Sequence, residues 1–277
     1  MPALEDVEYD RDATIAAVTG YYEFLTAMYL NKSKVAYPPA GGWPSIVNAD
    51  AALLQSLGKS DEVISLLAHL PYIRSQGHDS DDAEAIPGCV FADWSELMQS
   101  WDPADGESLR SFTEGMEFGP VSSPHVVGLT CGDGGDSGHL VLDTELGIIH
   151  WEECPSEVEN GNFREGVDYE PDDDVSEEEA DWRYSTPAWT IPDLFEILRH
   201  QFKILHWIPV SHATVRTTGD PDEEERDEAE AGMAAMLQRI YRQHGWPNLA
   251  RYRKAECLEA VKEAMAERYP DSVCVRS

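Results

Sequence analysis

The stretch "CGDGGDSGHLVLDTELGIIHWEE", Cys131 to Glu153, decides the fold, because its glycines and carboxylates suit a phosphate loop, a metal site or a plain hairpin. Glycine loops that hold phosphate open a helix, whose N-terminus supplies the N–H donors and the dipole for the anion. Here the glycines stand between "HVVGLTC" and "HLVLDT", both β-branched and alternating, and "DTELG" then turns the chain into "GIIHWEE". The run therefore opens a strand. It has no P-loop lysine, and it sets Asp133 and Asp136 where a phosphate would sit. The period-2 pattern predicts strands over Val126 to Thr130, His139 to Asp143 and Gly147 to Trp151, the last two paired antiparallel.

Alternation places His139, Val141 and Asp143 on one face of the second strand, and His150 and Glu152 together on a face of the third. Four ligand-type side chains could converge there. An Asx hydrogen bond at the mouth of the turn already accounts for Asp143, however, and His or Glu on a solvated sheet face needs no metal. The reading is no metal and no cofactor. Cys131 with His125 or His139 as base is a formal nucleophile pair, but nothing in the sequence lowers the thiol pKa.

Working outward, 277 residues with 42% hydrophobic and 9% aromatic content are enough to bury a substantial core. The formal net charge of −33, from 53 acidic and 20 basic residues, repels phosphate backbones and anionic membranes, so nucleic acid and lipid are not expected partners. "MPALEDVEYD" has no apolar run, and no later stretch reaches the ~20 apolar residues of a membrane span; a cytoplasmic location is expected. Cys89, Cys131, Cys154, Cys257 and Cys274 are odd in number and form no C-x-x-C pair, which argues for reduced thiols and against a zinc knuckle.

Toward the N-terminus, "DATIAAVTGYYEFLTAMYL" has the apolar spacing of an amphipathic helix running to about Leu30. "YPPAGGWPSI" is a turn-rich connection anchored by Trp43. In "SDEVISLLAHLPYI", Ser60 is the N-cap, Asp61 and Glu62 fill the first turn, His69 lies in the last, and Pro71 follows. "CVFADWSELMQSWD" carries Phe91, Trp94, Leu97 or Met98 and Trp101 at helical spacing, read as core packing because Asp93, Glu96 and Asp102, not Lys or Arg, flank it.

Toward the C-terminus, "EVENGNFREGVDYEPDDDVSEEEADW" is rich in carboxylates, does not match the EF-hand spacing, and is expected to be a solvated loop over about 155–185 that can be shortened without loss of the fold. "WTIPDLFEILRHQFKIL" is a helix with Ile191, Leu194 or Phe195, Leu198 and Phe202 inward, and "HWIPV" is a final strand whose Pro209 marks a sheet edge. Two more helices follow, the first with Met233, Met236, Leu237, Ile240 and Tyr241 in its stripe, the second with Leu258, Val261 and Ala264 or Met265. Arg251, Arg253, Lys254 and Lys262 are the chain's one basic concentration, expected to pair with the acidic loop or a neighbouring subunit, or alternatively to take an anionic ligand.

The phrases "PPAGGWPSI", "LGKSDEVISLLAHLPYI", "SPHVVGLTCG", "LVLDTELGIIHWEECP", "FKILHWIPV" and "YRQHGWPNLARYRKAECLEA" resemble those of a filamentous-fungal protein family, over nearly the whole chain. More remotely, "YYEFL", the glycine-rich hairpin and the helix "TIPDLFEILRHQF" resemble, in that order, SMI1/KNR4-like domains of the SUKH superfamily. That second resemblance covers the middle half of the chain and lacks a clean "LP..y..fl...NG" opening. It implies an α+β domain with a mainly antiparallel sheet flanked by helices, serving as a signalling scaffold in fungi or an immunity protein in bacteria, without catalysis.

The combined expectation is one α+β domain over 1–215 and a helical extension over 216–277 packed on it. The expected function is a cytosolic binding module with a basic protein partner, its candidate binding residues being Trp43, Asp172, Asp173, Asp174, Arg251, Arg253 and Lys254. The alternative is a small-molecule enzyme of a fungal biosynthetic pathway, whose site would be Asp136, His139, Asp143, His150 and Glu152.

Overall fold

Asp10 accepts the Ala13 amide at 2.7 Å and so satisfies one of the orphan donors that open α1 (Arg11–Met28), which buries Val18, Tyr22, Leu25 and Met28. The computed structural model in which this helix is seen describes residues 2–74, 82–115, 123–131, 138–161, 163–168, 177–218 and 232–270. After α1 come β1 (Val35–Ala36), α2 (Pro44–Val47), α3 (Ala51–Leu57), α4 (Asp61–His69) and β2 (Tyr72–Ile73), with β1 and β2 paired antiparallel. Trp43 anchors the Pro/Gly connection as expected, buried and donating its indole N–H to the Leu70 carbonyl at 2.8 Å. Ser60 caps α4 by accepting the Val63 amide at 3.3 Å, and the helix stops ahead of Pro71.

The segment from Cys89 to Trp101 is not one helix. β3 (Glu84–Ile86) pairs with β4 (Cys89–Phe91), Asp93 caps by accepting the Glu96 amide at 3.2 Å, and α5 (Trp94–Ser100) begins only there. Strand partners on both sides of β4 override the helical spacing that Phe91 shares with Trp94. After α6 (Gly106–Glu114), "HVVGLTC" also divides, into β5 (Val126–Gly128) and β6 (Thr130–Cys131). Leu129 is the point where the chain changes sheets. Its N–H donates to the Leu140 carbonyl at 2.8 Å, and its own carbonyl accepts the Ala92 N–H at 3.0 Å.

β7 (Leu140–Asp143) and β8 (Ile148–Trp151) form the expected antiparallel hairpin, with Leu140 opposite Trp151 and Val141 opposite His150. The stretch expected to be a solvated loop instead contains α7 (Ser156–Glu159) and α8 (Glu177–Ser185). β9 (Ala188–Thr190) then completes an antiparallel sheet of order β5-β7-β8-β9 and runs straight into α9 (Ile191–Ile204), capped by Thr190. β10 (Trp207–Pro209) is not the final strand: β11 (Val215–Thr217) pairs with it, so Pro209 does sit in a two-stranded sheet, where no inner partner needs its missing N–H. Last are α10 (Met233–Gln243) and α11 (Lys254–Arg268).

One face of the four-stranded sheet presents Val127, Leu140, Leu142, Ile149, Trp151 and Trp189 to the main core, which α1 and α9 share. The C-terminal helices add to that same core through Met236, Tyr241, Trp246, Val261 and Met265. The opposite face carries Val126, Val141, Asp143 and His150 and is covered by α6 and α8. Gly128 allows this cover to approach closely, since a β-carbon there would lie 1.8 Å from the Thr113 carbonyl oxygen of α6.

Candidate functional site

The register of β7 and β8 places His139, Val141, Asp143, His150 and Glu152 on the sheet face that α6 and α8 cover, as alternation predicts. It divides them between two surroundings. At the His139 end the C-terminal turn of α6 closes the face: the His139 ring bonds the Thr113 backbone, and Gly115 leaves room for the Glu152 carboxylate, which a β-carbon there would approach to 2.6 Å. At the other end α8 closes the face over Asp143 and His150. Asp136 lies outside the described residues, as do Asp172, Asp173 and Asp174.

Asp143 is fully buried and holds two structures together. One oxygen, Oδ1, accepts the Glu145 and Leu146 amides at 2.8 and 3.0 Å, the Asx turn expected from its place before "TELG". The other, Oδ2, accepts Arg183 Nη1 at 2.6 Å. Arg183 also donates to Glu179 Oε1 from Nε and Nη2, at 3.0 and 2.9 Å. Such charge-assisted bonds compensate the desolvation of a buried guanidinium.

His150 is not on a solvated face; it is wholly buried, with the Trp182 indole edge-on to its ring at a centroid distance of 5.0 Å. Burial, then the Arg183 charge, push its pKa down to about 4, against the pull of Asp143 and a hydrogen bond to the Thr186 backbone. The imidazole is therefore neutral at physiological pH. His139 is pushed in the same direction, chiefly by burial. The thiol of Cys131 is raised to about 12, first by burial and then by the nearby Asp82 and Asp93 charges, the reverse of what a nucleophile needs.

Beside this group lies an ion pair that the sequence did not suggest. Lys59 Nζ is 2.7 Å from Glu114 Oε1, and the two side chains are 1% and 0% exposed. Burial lowers the Lys59 pKa, while Glu114 and, more weakly, Glu179 oppose the shift. Arg110 seals the same region by donating to the Ser56 and Leu57 carbonyls at 2.8 and 2.9 Å, satisfying the end of α3. Lys59, Glu114, Glu179, Arg183 and Asp143 thus form a layer of opposite charges between the sheet and its covering helices. The one legible signal was Arg183 itself, one of two cations, with Arg164, in the acidic stretch over 155–185.

The basic concentration is dispersed by its own bonds. Lys254 Nζ donates to the Thr26 and Leu30 carbonyls at 2.7 and 2.6 Å, closing the C-terminus of α1, and Arg253 pairs with Glu256 at 2.7 Å. Arg251 remains exposed. Trp43 lies under the Arg74 guanidinium, 4.8 Å from its ring centroid, while Arg74 also bonds Asp93 at 2.7 Å.

A cleft of about 310 Å³ opens between the N-terminal segment and the starts of α1 and α9, lined by Asp6, Glu8, Asp10, Thr14, Thr190 and Pro192 among others. None of the described candidate residues named from the sequence is among those that line it. Among the described residues no group of three or more His, Cys, Asp or Glu side chains is arranged to hold a metal ion, and no helix is long and apolar enough to cross a membrane. Compared with protein-family models, with curated proteins and with solved structures, the chain finds no match.

Proposed function

We propose that this chain is a cytosolic protein-binding module, without catalysis of its own, whose acidic surface engages a basic protein partner. The observation that carries the reading is the commitment of Asp143: Oδ1 serves the Asx turn, Oδ2 meets Arg183, and the side chain is buried. A catalytic carboxylate or imidazole needs access to a substrate atom, and Asp143 and His150 are wholly buried. The charge of −33 then becomes the most effective recognition feature on the molecule, because its field accelerates encounter with cationic surfaces. The antiparallel sheet flanked by helices is the architecture that the resemblance to SUKH domains implies, and it supports carrying over a scaffold or immunity-type role as part of the same proposal.

Stopped-flow association with a lysine-rich and an arginine-rich synthetic polypeptide tests this. Association rates should fall steeply as salt shortens the Debye length toward ~8 Å, while dissociation rates change little. Charge reversal across Asp172 to Asp174 should slow association, and His139→Ala should leave it unchanged. Absence of association with either polypeptide, or a metabolite turnover that His139→Ala abolishes in a folded chain, would overturn the reading.

A further inference from the structure

We propose that the sheet face beneath α8 is a docking site for an arginine- and aromatic-bearing segment of the basic partner, and that α8 occupies it as an internal substitute. The inference rests on the binding-module reading and names the site within it. α8 keeps helical spacing on its inward side, with Glu179, Trp182 and Arg183 at i, i+3 and i+4, but that stripe carries an indole and charged groups in place of aliphatic side chains. Among its described side chains Trp182 and Arg183 are buried, two successive positions, whereas Tyr184 beside them is 76% exposed. What α8 offers to the sheet is therefore an indole and a guanidinium, and each meets a fitted receiver: the indole lies edge-on to His150 and against Val126 and Val141, and the guanidinium meets Asp143 Oδ2.

Those receivers specify what could replace α8. Without Arg183, Asp143 would keep its turn bonds through Oδ1 but lose the cation at Oδ2, and Lys59 is already held by Glu114. A carboxylate in that position accepts exchange only for another cation, and a guanidinium matches it in hydrogen-bond geometry better than an ammonium does. The apolar floor of Val126 and Val141 beside it calls for an aromatic or aliphatic neighbour. When α8 leaves, Arg183 retains Glu179 four residues earlier on its own helix, so its charge departs partly compensated. The rest of this very acidic chain favours the approach of a cationic segment in the first place.

The test uses the full chain and a fluorescent ten-residue peptide of alternating Trp and Arg, beside the same peptide with Lys in place of Arg. With α8 docked the site is open for only a fraction of the time, so the Trp182→Ala/Arg183→Ala double variant should bind the Trp–Arg peptide ~10-fold or more tightly than the parent. Asp143→Asn, which keeps a turn acceptor, should remove that gain, and the Lys peptide should gain less. Saturating the unaltered chain with the Trp–Arg peptide should also raise hydrogen exchange in α8. This last measurement needs no substitution, so a variant that fails to fold does not shield the inference. Binding that leaves α8 exchange unchanged, or a double variant that binds no tighter, would overturn the docking site while the acidic-module reading stands. Failure of the chain to bind either peptide would overturn both.

Discussion

Arg183 and Asp143, 40 positions apart, share a 2.6 Å hydrogen bond that ties the acidic stretch to the turn of the central hairpin. The two partners do unequal work. Asp143 also accepts two backbone amides within its own turn, whereas beyond this bond Arg183 pairs with Glu179 on its own helix. Asp143→Ala should therefore lower unfolding free energy by about 3 kcal/mol, from an unsatisfied turn and an orphaned buried cation. Arg183→Ala should cost less than about 2 kcal/mol, because α8 can lift and rehydrate Asp143 rather than leave it buried and bare. Urea unfolding of the two variants measures the asymmetry. Equal losses would mean that α8 is a fixed part of the core.

The buried imidazole of His150 makes stability depend on pH in a stated direction. Its native pKa is about 4 against an ordinary 6.5, so below pH 6.5 the unfolded chain binds a proton that the native chain refuses. The contribution is whole above pH 6.5 and is lost as pH falls toward 4, by about 3 kcal/mol in total. Protonation would set a cation against Arg183 and beneath Trp182, with Asp143 the nearby compensating charge. His150→Leu should flatten the stability profile between pH 6.5 and 5.5, where few carboxylates titrate, relative to the parent measured in parallel.

Close approach of α6 to the sheet is equally open to test. A β-carbon on Gly128 would stand 1.8 Å from the Thr113 carbonyl oxygen and 2.9 Å from the Thr113 β-carbon. No rotamer relieves a contact with backbone, so Gly128→Ala should cost about 3 kcal/mol and displace the helix that covers His139. Thermal melting reports the loss, and the histidine's NMR shifts report the displacement. A variant as stable as the parent would contradict this packing.

What was legible in the sequence followed from regular patterns. The hairpin and α9 announced themselves because Leu140, Leu142, Ile149 and Trp151 alternate, and Ile191, Leu194, Leu198 and Phe202 recur at helical steps, each series facing one core. α8 was hidden by its chemistry and not by its spacing: Glu179, Trp182 and Arg183 sit at helical steps, but one indole among charged groups makes no apolar stripe to stand out from the carboxylates. Asp143 could be read as a turn residue from its immediate neighbours, but its second bond depends on an arginine far along the chain. The division of "HVVGLTC" between two sheets was hidden for the same reason, because partners in β4 and β7 decide it.

The C-terminal helices look in sequence like an addition to the α+β domain, yet their bonds make them part of it. Lys254 Nζ donates to the Thr26 and Leu30 carbonyls, Tyr252 to the Met28 carbonyl at 2.9 Å, and Trp246 to the Phe202 carbonyl at 3.0 Å. Three of the four acceptors lie at or just beyond the end of α1, where carbonyls have no partner within the helix. Tyr241 likewise serves the Pro209 carbonyl at 2.8 Å, and the Trp246 ring packs on Phe24 at a centroid distance of 5.8 Å. Lys254→Met, which keeps most of the stem but removes the donor, should cost about 2 kcal/mol through two charge-assisted bonds. Truncation after Thr218 should be far more damaging, exposing the core side of α1 and α9 and leaving their carbonyls unsatisfied. The shortened chain should bind a hydrophobic dye and lose its near-ultraviolet circular dichroism while keeping helical signal. A cooperative unfolding transition in the truncated chain, at the temperature of one phase of a two-phase melt in the parent, would instead make the extension a separate unit.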